Sequence, residues 1–149
     1  MDKPPIYFYL RYSLYSVLYV TIHKKGNSMA LENLTTENFN QQVESNQIAI
    51  LDFWAPWCGP CRQFAPIFEE VASSHPDILF GKINTEEQRE LASHFQVQSI
   101  PTVAVLKEGI VVFLQAGMLP KEGLEDIIKQ VKELDMDMVR EQIAKEQAS

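Results

Sequence analysis

The chain has 149 residues, of which 46% are hydrophobic and 22% charged, and its formal net charge is −7. This length and composition indicate one globular domain that buries a sizeable core without disulfide staples. The acidic balance argues against a nucleic-acid-binding face. Two cysteines three positions apart are too few for a secreted, disulfide-stapled domain, so the pair is a candidate functional site.

The N-terminal extension, residues 1–28, differs from the rest, because all five tyrosines lie in its first 19 residues. From Ile6 to Ile22 the only charge is Arg11. Three interpretations stay open. Residues 6–22 could be a membrane anchor, although a span of about 30 Å needs about 20 apolar residues. They could be a signal peptide, although no A-x-A-like cleavage site follows. Alternatively, the natural chain starts at Met29 and the extension is a start-site artefact.

The following residues, 29–134, alternate strand and helix patterns. In chain order we predict a strand over 30–34, a helix carrying Phe39 and Val43, a strand over 48–54, a helix reaching Ser74, a strand over 78–83, a helix from the Thr85 capping box to about Phe95, strands over 102–106 and 110–114, and a helix reaching Leu134. This order predicts an α/β fold with a mixed central β-sheet flanked by helices on both faces. Pro66 is expected to kink the second helix.

Residues 135–149 form a predicted C-terminal helical extension. Met138, Val139, Gln142 and Ile143 could extend the apolar stripe of the preceding helix. Two interpretations are open: a solvated, partly frayed helix end, or a helix that docks onto a partner or a second subunit.

Cys58 and Cys61 lie where a strand ends and a helix begins. Side chains at i and i+3 share a helix face, so the two sulfurs can form a disulfide. The unpaired N–H groups of a helix N-terminus favour a thiolate, which is the nucleophilic form. We therefore predict that Cys58 attacks a substrate disulfide and that Cys61 resolves the mixed disulfide. Pro60 suits a helix start, and Gly59 leaves the approach to Cys58 uncrowded.

Two other interpretations of the pair are weighed. Cys-x-x-Cys is half of many zinc sites, but His23, His75 and His94 do not supply the usual paired ligands. Two inert, buried thiols are the other alternative. The tight turn around Gly59 would tend to expose at least Cys58, which argues against it.

The segment Asp-Phe-Trp-Ala-Pro-Trp-Cys-Gly-Pro-Cys, residues 52–61, closely resembles the active-site segment of the thioredoxin family. Ser99-Ile100-Pro101-Thr102 resembles the family's cis-proline turn, 107–109 its hairpin, and Ala116-Gly117 its glycine segment. The resemblance covers about residues 30–134, the predicted thioredoxin domain, and implies a thioredoxin fold and a protein-disulfide reductase. Ser99 stands where members of the family often have glycine, and its side chain would narrow the surface that contacts the substrate.

The resemblance also implies roles for two charged residues. Asp52 would be a buried carboxylate with a raised pKa that relays protons to and from Cys61 through water. Lys82 matches the lysine that neighbours this carboxylate. The alternative for Asp52 is a salt-bridged core carboxylate.

A docking surface follows from the same resemblance. Pro101 would be cis and would face the cysteines, and Ile100 would offer its backbone to an extended substrate chain. For Trp57 the alternative is ordinary core packing. The implied surface consists of Trp57, Gly59, Pro60, Ile100, Pro101 and Gly117.

The expected function is general reduction of disulfides in protein substrates. By resemblance, thioredoxin reductase, an NADPH-dependent flavoenzyme, or else a ferredoxin-linked reductase, would recharge the pair. The sequence has no Gly-x-Gly-x-x-Gly segment, so we expect no bound cofactor. The expected location is cytoplasmic, unless residues 6–22 are an anchor that tethers the reductase to a membrane. A chaperone-like adaptor with the same fold is the alternative function, and such an adaptor would not need two thiols.

Overall fold

The computed structural model describes residues 31–148. The interpretations of residues 1–28 therefore lie outside the described residues. The elements are β1 (Leu31–Asn33), α1 (Phe39–Glu44), β2 (Ile48–Trp54), α2 (Gly59–Ser74), β3 (Leu79–Asn84), α3 (Arg89–His94), β4 (Thr102–Lys107), β5 (Ile110–Ala116), α4 (Lys121–Glu133) and α5 (Met136–Ala148). Pro66 lies inside α2.

The five strands form one mixed sheet in the order β1-β3-β2-β4-β5. The β1–β3 and β2–β3 pairs are parallel, whereas β2–β4 and β4–β5 are antiparallel. The β4–β5 hairpin turns on Glu108 and Gly109, whose φ angles are 52° and 76°. Two left-handed residues match the twist of a two-residue hairpin. The predicted mixed sheet and its hairpin are confirmed.

Alternate residues of β2 face two hydrophobic clusters. Ile48 and Ile50 join a cluster with α2 and α4, whereas Leu51 and Phe53 join a second cluster to which α1 and α3 contribute. Helices therefore flank both faces of the sheet, as predicted. Since side chains alternate along a strand, Asp52 faces the α2 side with Ile48 and Ile50.

The third helix begins later than the sequence predicts. It starts at Arg89, and the predicted capping box at Thr85 is wrong. The Thr85 hydroxyl donates to the Trp54 carbonyl at 3.2 Å, and the Asn84 side-chain oxygen accepts the Glu86 N–H at 3.0 Å. These bonds hold the segment in a turn.

Helix α5 is separate from α4. Leu134 has an extended backbone (φ −68°, ψ 126°), and the Asp135 carboxylate accepts the N–H groups of Asp137 and Met138. The side-chain oxygen thus caps a new helix.

The break between the helices changes which residues face the core. Met136 and Val139 are buried in the first cluster, and Ile143 packs against it. Met138 and Gln142 are exposed, so their predicted place on the apolar stripe is wrong. Because α5 is a new helix, its apolar face does not continue the stripe of α4. Instead, the face that contains Met136 and Val139 points to the core. It packs on the domain, which argues against a wholly solvated end.

Lys107 fixes the junction between α4 and α5. Its ammonium group donates to the carbonyls of Val131, Lys132 and Leu134 at 2.7, 3.2 and 2.8 Å. The residue is only 6% exposed. A cation at a helix C-terminus satisfies its unpaired carbonyls and interacts favourably with its dipole.

Candidate active site

Cys58 and Cys61 are joined in a disulfide at the start of α2, with their Cα atoms 5.2 Å apart. Cys58 is the N-cap residue and has an extended backbone (φ −84°, ψ 112°). Its sulfur accepts the Cys61 N–H at 3.2 Å, while Pro60 occupies the first turn. The predicted strand-to-helix placement of the pair is confirmed.

The disulfide is less accessible than the sequence predicts. Cys58 is 4% and Cys61 2% exposed, so the expectation that the turn exposes Cys58 is wrong. The reason is the neighbouring turn, because the Cys58 sulfur lies 3.8 Å from the Ile100 carbonyl oxygen. A Cβ added at Gly59 would meet no atom within 4 Å, so the approach over Gly59 is open.

Asp52 lies fully buried on the α2 side of the sheet. Its carboxylate oxygens accept no hydrogen bond from any residue in the described range 31–148. Burial raises the pKa of Asp52 from its ordinary 3.8 to about 7, although the positive charge of Lys82 opposes the shift. The buried carboxyl can therefore bind or release a proton near neutral pH.

The Lys82 ammonium lies between two partners. It is 4.0 Å from the nearer Asp52 oxygen and 4.9 Å from the centroid of the Trp54 ring. The first distance is at the outer limit of an ion pair, and the second suits a cation–π contact. Lys82 thus reduces the free-energy cost of burying an ionised Asp52 by its charge alone, because it makes no close hydrogen bond to the carboxylate.

The Ile100–Pro101 peptide bond is cis, as predicted. The turn is fixed from both sides: the Thr102 hydroxyl donates to the Ser99 carbonyl at 2.6 Å, and the Gly117 N–H donates to the Pro101 carbonyl at 2.8 Å. Gly117 has a φ of +101°, a backbone conformation that favours glycine. These bonds hold Ile100, Pro101 and Gly117 together in one turn, and the Ile100 carbonyl of that turn lies beside Cys58.

Trp57 is 65% exposed, which does not fit the core-packing alternative. Its indole N–H donates to a carboxylate oxygen of Glu86 at 2.5 Å. Sequence reasoning missed Glu86, because the acidic residues after Thr85 were assigned to a helix cap. The contact fixes the orientation of the exposed ring next to Cys58.

Within residues 31–148, no group of three or more His, Cys, Asp or Glu side chains could hold a metal ion. The same range contains no helix with the length and apolar character required to cross a membrane.

Comparisons with known proteins agree on one family. Residues 30–130 match the family model described as Thioredoxin. The Streptomyces coelicolor protein named "Putative thioredoxin 2" is 50% identical over 115 residues, which cover 77% of this chain and 86% of that protein. A Bacillus subtilis thioredoxin is 42% identical over 101 residues, which cover 67% of this chain and 96% of that thioredoxin. Among solved structures, a mutant thioredoxin from Halobacterium salinarum has a TM-score of 0.68 at 27% identity and covers 74% of this chain and 99% of its own.

Proposed function

Since this chain belongs to the thioredoxin family and is a thiol-disulfide oxidoreductase that reduces protein disulfides, we propose that Cys58 is its attacking thiol and Cys61 its resolving thiol. One observation carries the assignment of roles. Cys58 caps α2 and lies beside the Ile100 carbonyl, whereas Cys61 lies in the first turn behind it.

The first step begins from the reduced pair. The Cys61 N–H and the N-terminus of α2 stabilise a Cys58 thiolate. The thiolate attacks one sulfur of the substrate disulfide and forms a Cys58–substrate bond. The other substrate sulfur leaves as a thiolate and takes a proton from water.

In the second step the Cys61 thiol gives its proton through water to the Asp52 carboxylate and attacks the Cys58 sulfur. The Cys58–substrate bond breaks, and the second substrate sulfur leaves as a thiolate that is then protonated. Two electrons have then passed from the cysteine pair to the substrate, and a Cys58–Cys61 disulfide remains. The two substrate sulfurs take their protons from water, which received the Cys58 proton when the thiolate formed, and the Cys61 proton stays on Asp52 until it is released. The pKa of Asp52, about 7, supports this role because a base works best near the operating pH.

Substrate docking uses the surface around the disulfide. The Ile100 backbone pairs with an extended segment of the substrate, which adds a short strand to the protein. Trp57 contributes an exposed aromatic face. Pro101 and Gly117 support the turn, while Gly59 and Pro60 leave the approach open.

The electrons come from outside the chain. The proposal needs no bound cofactor, because the cysteine pair itself carries the two electrons. Thioredoxin reductase, an NADPH-dependent flavoenzyme, is the proposed donor, and disulfide-containing proteins are the acceptors. The proposed location is the cytoplasm, which keeps thiols reduced. Anchoring through residues 6–22 is the alternative, and mass spectrometry of the natively expressed N-terminus distinguishes the two.

Reduction of a protein with an accessible disulfide, with dithiothreitol as donor, tests the assignment. We expect Cys58→Ser to abolish turnover and Cys61→Ser to accumulate a mixed disulfide visible on a non-reducing gel. Asp52→Asn should slow release from the mixed disulfide more than its formation. Full activity in Cys58→Ser would overturn the proposal, and equal slowing of both steps in Asp52→Asn would remove the proton relay.

A further inference from the structure

A cleft of about 190 Å³ lies next to the turn that flanks the disulfide. We name it the Leu114 cleft, and its walls come from residues 95–99 after α3 and from Thr102, Leu114 and Ala116. It is open to solvent, because β5 is the edge strand of the sheet and Ala116 is exposed. Ser99 belongs to the cleft wall and directly precedes Ile100, so the cleft continues the proposed docking surface.

The chemistry of the cleft suits an uncharged side chain. Phe95, Val97, Leu114 and Ala116 supply apolar surface, and the polar groups of the wall come from uncharged glutamine, serine and threonine residues. None of the residues that line it carries a formal charge. An apolar group that enters it leaves water without displacing a charged partner.

The size of the cleft limits what it can hold. Ligand pockets for cofactors and drug-sized molecules occupy roughly 300–1,000 Å³. A cavity of about 150 Å³ is large enough for benzene. The Leu114 cleft therefore fits one aliphatic or aromatic side chain and is too small for a nucleotide.

The closeness of the cleft to Ile100 along the chain limits which part of a substrate reaches it. The Ile100 carbonyl lies 3.8 Å from the Cys58 sulfur, so a substrate strand paired with Ile100 has its cysteine there. An extended chain advances about 3.3 Å per residue. Ser99 and Thr102 line the cleft one and two positions from Ile100, so we place over it a side chain two or three residues from the substrate cysteine.

We propose that the Leu114 cleft selects protein substrates that carry a large apolar side chain two or three residues from the attacked cysteine. This inference rests on the proposed function, because it requires a substrate strand along Ile100. The occupant is a side chain of the substrate itself, seated between residues 95–99 and the end of β5.

Synthetic disulfide-linked peptide dimers test the proposal. They are identical except that leucine replaces serine, one position at a time, within three residues on either side of the cysteine. We expect leucine at the preferred position to raise kcat/KM about tenfold relative to serine, the low end of what one methylene group contributes in an apolar pocket. Ala116→Phe fills the cleft. In this variant the ratio of kcat/KM for the leucine peptide to kcat/KM for the serine peptide should fall below twofold. The ratio compares two substrates of one variant, so a general loss of activity cancels.

Gln115→Phe is the matched control, since the side chain of Gln115 points to the opposite face of β5. It should retain the tenfold preference. Equal rates for all peptides in the wild type would overturn the cleft proposal, as would a preference that survives Ala116→Phe. If Ala116→Phe left the selectivity unchanged but converted a dimer to a monomer in light scattering, a second copy of the chain would be the occupant. Failure of the wild type to reduce any peptide would instead count against the proposed function.

Discussion

Asp52 and Lys82 are register partners on the neighbouring parallel strands β2 and β3, and their charged groups lie 4.0 Å apart inside the domain. At this separation Lys82 does not offset the loss of hydration of the carboxylate. Burial therefore dominates and holds the pKa of Asp52 at about 7.

The raised pKa of Asp52 makes stability depend on pH. Between pH 3.8 and about 7 the folded protein keeps a proton that the unfolded chain has lost, so the free energy of unfolding falls as pH rises through this range and stays low above it. Asp52→Asn removes this titration. From pH 5 to pH 8 we expect the variant to gain roughly 2 to 3 kcal/mol relative to the wild type. Urea unfolding of the oxidised proteins at both pH values measures the gain. If the difference in the free energy of unfolding between Asp52→Asn and the wild type were the same at both pH values, the raised pKa of Asp52 would be contradicted.

Lys107 is expected to stabilise the C-terminal part of the domain. Lys107→Met leaves the carbonyls of Val131 and Leu134 without their shared donor, and we expect a loss of about 2 kcal/mol. Hydrogen exchange should increase across the junction and in α5. Lys129→Met makes the same substitution on the exposed face of α4 and should leave stability unchanged. Equal stability of the two variants would show that the buried contacts contribute nothing.

Local signals in the sequence were sufficient to predict the frame of this site. The apolar run before Cys58, the turn residues around Gly59 and the periodic helix that follows act over a few positions, and they predicted β2, α2 and the placement of the cysteines. The alternation of strands and helices likewise predicted the mixed sheet.

Contacts between distant residues were not predictable in the same way. Trp57 and Glu86 are 29 positions apart, and Lys107 reaches carbonyls 24 to 27 positions away. No periodicity marks such pairs, because each depends on how elements pack. The α3 start was wrong for a related reason: the Thr85 hydroxyl bonds to Trp54 on a neighbouring strand instead of capping a helix.

Gly81 is expected to be intolerant of a side chain. A Cβ at this position would overlap the Leu34 side chain, which is 2% exposed and has little space to move. We expect Gly81→Ala to cost about 1 to 3 kcal/mol in chemical denaturation. Gly59→Ala adds the same methyl group into open space and should not lower stability. Leu34→Ala combined with Gly81→Ala should cost less than the sum of the two single changes, and strict additivity would refute the steric explanation.

Glu86 is expected to act on substrate binding by orienting Trp57. Without its carboxylate the exposed indole samples other rotamers and must be ordered when substrate docks. One hydrogen bond contributes about 1 kcal/mol, so Glu86→Ala should raise KM for a protein disulfide about fivefold and change kcat little. Glu86→Gln keeps an acceptor oxygen and should recover most of the loss. Glu87→Ala removes the neighbouring carboxylate, which does not bind the indole, and should leave KM unchanged. A fall in kcat at constant KM, or the same effect in Glu87→Ala, would show that Glu86 does not work through the orientation of Trp57.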